Sequence, residues 1–146
     1  MNLRTALLST LAGAAVLACA STAFAGDVTL TLTGVQARGG TMLVALQSRD
    51  QFMRPAMSAG TIRENPAAGT VTLTIPNVPA GEYAVTALHD TNGDRQMALV
   101  NGRPAEGWAM SRVGAALDHR PTFEETRITV PTGGAQVIAA MVYPAQ

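Results

Sequence analysis

Two segments of this chain alternate apolar and polar residues with a period of two, and that pattern fixes the fold class before anything else does. In residues 27–33, Val28, Leu30 and Leu32 fall on one side and Thr29, Thr31 and Thr33 on the other. Val71, Leu73 and Ile75 repeat the pattern against Thr70, Thr72 and Thr74. Successive strand side chains point to opposite faces of a sheet, so each segment reads as an antiparallel strand with a packed aliphatic face and a wet threonine face. Met42–Leu46, Tyr83–Leu88 and Val137–Val142 are apolar on both faces, which predicts strands placed centrally. Another strand is expected from near Glu124 to Val130. Arg38-Gly39-Gly40, Pro79-Ala80-Gly81 and Thr132-Gly133-Gly134 supply turns between these runs. Phe52, Met53 and Met57 allow one short helical turn within Gln51–Ala59, and no longer helical period occurs after residue 25. About seven short antiparallel strands at this spacing predict an all-β Greek-key sandwich of immunoglobulin or transthyretin-like type. Tyr83, just after a turn, is expected to anchor the strand corner through its hydroxyl.

Residues 1–25 read as a signal peptide ahead of a single domain over 26–146. Arg4 precedes an apolar stretch from Ala6 to Ala20, and Ala23-Phe24-Ala25 places small residues where a signal peptidase inspects them. The run is short, contains Gly13 and ends in a cleavage pattern, so no transmembrane segment is expected after processing. The expected product is periplasmic or secreted. Val16-Leu17-Ala18-Cys19 also loosely resembles a lipobox, and its use would give an outer-membrane lipoprotein instead. Cleavage after Ala25 removes the one cysteine, which excludes disulfides and thiolate metal or redox sites. A domain this size buries roughly two-thirds of its unfolded surface and needs no covalent staple.

The charges exclude one class of partner. The ten basic residues are all arginines, they are matched by ten acids, and losing Arg4 leaves a net charge of minus one. The arginines are scattered, so the basic patch of a nucleic-acid binder or of a protein held to anionic lipid is missing.

Function is expected in the irregular segment 89–123, because a connection that long in a compact domain is functional or carries small elements of its own. It holds both histidines and the only tryptophan, and His89, Asp90, Asn92, Asp94, Glu106 and Trp108 are the candidate ligand-binding residues. Asp90, Asn92 and Asp94 have the odd-position spacing of a calcium loop, but Arg95 stands at its glycine position and Asn101 at its last carboxylate. The alternative is a turn in which Asn and Asp cap their own backbone, and the arginine favours it. His89 and His119 with Asp90, Glu106 or Asp118 would suit a metal, but no local ligand spacing supports that. No serine or cysteine motif accompanies the histidines, so no catalytic residue, enzyme activity or cofactor is expected. Trp108 either covers the open end of the core or is a stacking platform for a sugar ring or peptide, flanked by Glu106 and Arg103.

Several stretches carry a family resemblance. They are Pro79-Ala80-Gly81-Glu82-Tyr83-Ala84-Val85, Leu88-His89-Asp90-Thr91-Asn92-Gly93-Asp94, Pro104-Ala105-Glu106-Gly107-Trp108 with Ser111, and Pro121-Thr122-Phe123-Glu124. In order and spacing they resemble the bacterial exported-protein family catalogued as domain of unknown function 2141. The resemblance implies a β-sandwich and an exported protein, and no activity. The chain departs from the family pattern at Arg95, where a glycine is expected, and at Ala98, where a further acid is expected. The leading expectation is therefore a non-enzymatic binding or accessory module of the cell envelope that uses 89–123 to meet an envelope protein or a glycan. The alternatives are a metal- or calcium-dependent site on that loop, and a purely structural subunit pairing through an edge strand such as Asp27–Thr33.

Overall fold

The alternating segments become strands whose aliphatic faces meet across two sheets. A computed structural model describes residues 25–145. The expected leader therefore lies outside the described residues except for Ala25, and Cys19 lies outside them as well. One sheet has three strands in the order β10-β1-β4, formed by β1 (Ala25–Val35), β4 (Gly69–Pro79) and β10 (Ala135–Ala140). The other has five: β2 (Thr41–Gln47), β3 (Ala59–Glu64), β5 (Gly81–Asp90), β8 (Gly107–Met110) and β9 (Arg127–Val130). Its order is β3-β2-β5-β8, with β9 also paired to β5. A small hairpin, β6 (Leu99–Val100) with β7 (Arg103–Pro104), stands in the long segment. The chain passes from β1 into the other sheet for β2 and β3, and β4 then returns to lie beside β1. That return is the Greek-key connection.

One hydrophobic cluster joins the two layers. Val28, Leu30 and Leu32 of β1, Leu73 and Ile75 of β4 and Val137 of β10 pack with Met42, Val44 and Leu46 of β2 and Tyr83, Val85 and Ala87 of β5. On the other side of β1 and β4, Thr29 pairs with Thr74 and Thr31 with Thr72. The all-β sandwich and its wet threonine face are thus as the alternation predicts. The Tyr83 hydroxyl donates to the Pro79 carbonyl at 3.0 Å, which closes the expected corner.

Several details differ from the sequence reading. β1 and β10 run parallel, so not every pairing is antiparallel. β10 lies at an edge rather than in the middle, and its Ile138 is exposed; its apolar character on both faces comes from small alanines and that one isoleucine. β1 is central, hydrogen-bonded on both sides, so Asp27–Thr33 offers no edge for a subunit to pair with. Residues 49–54 form turns instead of a helix, because the Gln47 side-chain amide donates to the carbonyls of Gln51, Arg54 and Ala56 and ties the loop down. β3 follows that loop and has only weak alternation to announce it. The strand expected from Glu124 begins at Arg127, since a capping box folds Phe123–Thr126 into α1. Among the described residues no helix is long and apolar enough to cross a membrane.

Candidate functional site

β5 carries the start of the candidate site out of the core. His89 faces inward and is fully buried. Its Nε2–H donates to the Gly39 carbonyl at 2.7 Å, and its Nδ1 lies 2.8 Å from the Tyr143 hydroxyl. The Gln36 N–H donates to that same hydroxyl at 3.1 Å, so the tyrosine accepts from the backbone and donates to the imidazole. This bond pattern assigns the Nε2–H tautomer. Burial pushes the Tyr143 hydroxyl above the usual phenol range, against the Gln36 N–H and the Arg38 guanidinium, which pull it down. His89 is therefore a strut between the β1–β2 connection and the C-terminal segment.

Asp90 ends β5 with its carboxylate buried, and both oxygens accept backbone N–H groups. Oδ1 accepts from Gly93 at 2.7 Å and Oδ2 from Arg95 at 2.9 Å. Asn92 and Asp94 cap the next residues: the Asp94 N–H donates to Asn92 Oδ1 at 3.0 Å and the Gln96 N–H to Asp94 Oδ1 at 2.8 Å. Arg95 sits at φ +58°, in the left-handed region where glycine is easiest. The glycine of the family pattern at this position thus has a conformational reason. Glu106, also buried, reaches back so that Oε1 accepts from the Thr91 N–H at 3.0 Å and Oε2 from the Ala98 N–H at 3.4 Å. The backbone of 90–98 is laced by carboxylates rather than by strand pairing.

These contacts bring carboxylate oxygens of Asp90, Asp94 and Glu106 within 4.8 Å of one another. Neither histidine joins them. His119 is exposed and bonds to Asp118 Oδ1 at 2.9 Å and Glu125 Oε1 at 2.8 Å. The Asp118 carboxylate and then that of Glu125 hold the His119 imidazole above its ordinary pKa. Glu125 is the capping-box acid of α1; the Thr122 N–H and hydroxyl, with His119 after them, lower its pKa to about 2. The two-histidine metal centre is not assembled, because each ring is bound to its own partners.

Two residues outside the candidate set complete the region. Gly107 has no room for a side chain: a Cβ there would lie 2.2 Å from Tyr143 Cε1. Ser111 is fully buried between three elements. Its N–H donates to the Val85 carbonyl at 3.0 Å, its hydroxyl accepts from the Val85 N–H at 3.0 Å and donates to the Thr126 carbonyl. Val85 stands where β5 changes partner from β8 to β9, so Ser111 splices the two neighbours together.

The family described as an uncharacterized protein conserved in bacteria (DUF2141) matches residues 30–139. The chain belongs to this family. No curated protein and no solved structure matches it. The matched span runs from β1 into β10 and takes in the whole 89–123 segment. The motif residues that carried the resemblance turn out to brace the sandwich: Tyr83, His89, Asp90, Glu106, Gly107 and Ser111 each fill a packing or hydrogen-bonding role described above. Every fully buried side-chain nitrogen and oxygen among the described residues has a hydrogen-bond partner.

Trp108 behaves differently. It is half-buried and lies outside the core cluster, while its neighbour Ala109 faces the core. Trp108 pairs with Leu88, Leu88 with Leu43, and Leu43 with Ile62. Directly opposed residues share a face, so the four make an apolar row across β3, β2, β5 and β8 on the side of the sheet turned away from the core. Sequence reasoning missed this row because it links residues from four separate segments.

Proposed function

We propose that this chain is a non-enzymatic binding module of the bacterial cell envelope and meets a protein partner with the outer face of its five-stranded sheet. The observation that carries the reading is the row Ile62–Leu43–Leu88–Trp108, with Ile62 53% exposed. Apolar side chains placed opposite one another on a solvent-side face stabilise contact with another apolar surface. A protein fits better than a glycan: beside Trp108 stand Leu88 and Val142, whereas a sugar needs hydrogen-bonding groups around its stacking ring. The carboxylates of Asp90, Asp94 and Glu106 are engaged by backbone N–H groups of the same segment, which supports binding over catalysis. The test is capture from envelope extract, read with substitutions on both faces. Ile62→Glu should weaken capture on the order of tenfold or more, as placing a charge in an apolar contact does, while leaving the melt close to wild type. Thr72→Ala on the opposite face should change nothing. Equal capture by all three proteins, or competition by envelope glycans, overturns the reading.

The same reading requires export, for which the signal pattern of residues 1–25 is the support. The mature protein is expected to begin at Gly26. Sequencing its N-terminus checks this, and a lipidated Cys19 there would make the protein an outer-membrane lipoprotein instead.

A further inference from the structure

We propose that the cleft between the β1–β2 connection and the β6–β7 hairpin is a binding site for a small organic anion, a carboxylate carried on an apolar body. The cleft holds about 430 Å³ and is lined by Arg38, Val100, Arg103, Pro104, Ala105 and Pro144, with Ala145 at its margin. Two arginines line it, and among the described residues no acidic residue does. Neither arginine forms an ion pair among the described residues. Among the described residues no carboxylate pairs with this positive charge, and an anion supplies what is missing.

Arg38 is held ready for this. It is half-buried, its Nε–H donates to Gln36 Oε1 at 2.7 Å, and its guanidinium carbon lies 4.7 Å above the Tyr143 ring. That ring is fixed in turn by His89 and the Gln36 N–H. The two terminal nitrogens of Arg38 make no hydrogen bond among the described residues, so the planar fork that matches a carboxylate is presented on a rigid support. Arg103 reaches the cleft from the hairpin. That hairpin turns through Asn101 at φ +51° and Gly102 at φ +76°, the backbone of a tight two-residue turn, and is tied to Glu106 through Ala98. The remaining walls are apolar. Val100, Pro104 and Pro144 can cover a hydrocarbon or aromatic body, which an inorganic ion lacks. This site shares no residue with the apolar row on the five-stranded sheet, so it stands or falls separately from the partner surface.

The experiment is an amide chemical-shift titration of the purified protein with 4-phenylbutyrate, with its uncharged amide 4-phenylbutanamide and with inorganic phosphate. Phenylbutyrate is expected to shift the amides of Val100, Arg103, Ala105 and Ala145 saturably, and the uncharged amide to leave them in place. Arg103→Gln, whose side chain has no partner to lose among the described residues, should keep the wild-type melt and weaken binding about tenfold or more, as removing one charge-assisted contact does. Arg38→Gln should weaken it similarly, and Ile62→Glu should leave it unchanged. Equal shifts with the uncharged amide, shifts with phosphate but not with phenylbutyrate, no saturable shift with any probe, or an unaltered titration in Arg103→Gln would each overturn the assignment.

Discussion

Ser111→Ala should destabilise the domain by roughly 2–5 kcal/mol, because it strands two buried backbone groups at once. The serine hydroxyl accepts from the Val85 N–H and also donates to the Thr126 carbonyl. Ser111 itself is fully buried, so water does not replace the hydroxyl without opening the sheet. The junction it serves cannot be relieved by local pairing, since β5 is leaving β8 and meeting β9 at that residue. A loss of this size should lower the thermal midpoint on the order of 10 °C in a domain of this length. The measurement is a circular-dichroism melt beside Thr72→Ala, whose exposed hydroxyl should be worth no more than about 0.5 kcal/mol. A Ser111→Ala midpoint within the scatter of that control would mean that β8 and β9 hold β5 without the splice.

Ser111 also illustrates what the sequence could and could not reveal. Alternation in 27–33 and 70–75 exposed the two-layer architecture because a strand's period is local and does not depend on which strand lies beside it. Central and edge positions depend on pairing, which is non-local. The run Val137–Val142 therefore read as central although β10 lies at an edge, and Asp27–Thr33 read as a free edge although β1 has neighbours on both sides. The α1 capping box was written in Thr122 and Glu125 but was obscured by the β-prone Thr126, Ile128 and Val130 that follow. His89, Asp90 and Glu106 read in the sequence as candidate ligand-binding residues, and in the structure all three are buried and hydrogen-bonded within the fold. Their burial was not legible, since a polar residue at a strand end looks the same whether it faces water or braces a loop. Tyr143 was missed entirely; a buried histidine requires a partner, but nothing local indicates a tyrosine so far along the chain.

Asp90→Ala is expected to lower stability by about 2–4 kcal/mol, by the same amount in chelator and in millimolar calcium. The carboxylate accepts from the Gly93 and Arg95 N–H groups, bonds of the charge-assisted kind whose loss costs about 1.5–3 kcal/mol each when the donors stay buried. Part of that loss is recovered, because the flanking 91–96 backbone is exposed and hydrates once released. Calcium asks for six to eight oxygen ligands. The three clustered carboxylates already accept backbone or side-chain N–H groups, through both oxygens in Asp90, Asp94 and Glu106 alike. An ion entering among them would have to displace donors that hold the loop in shape. Arg95 occupies the turn position where a calcium loop wants glycine, and Asn101, where its last carboxylate belongs, lies in the hairpin turn. A ligand that binds only the folded state stabilises it by about 2.7 kcal/mol at a hundred times its dissociation constant, so even modest affinity would be visible in a melt. The wild-type midpoint should therefore not move with calcium. If it rises, and Asp90→Ala removes the rise, the carboxylates are ion ligands and the backbone bonds described here belong to the ion-free loop alone.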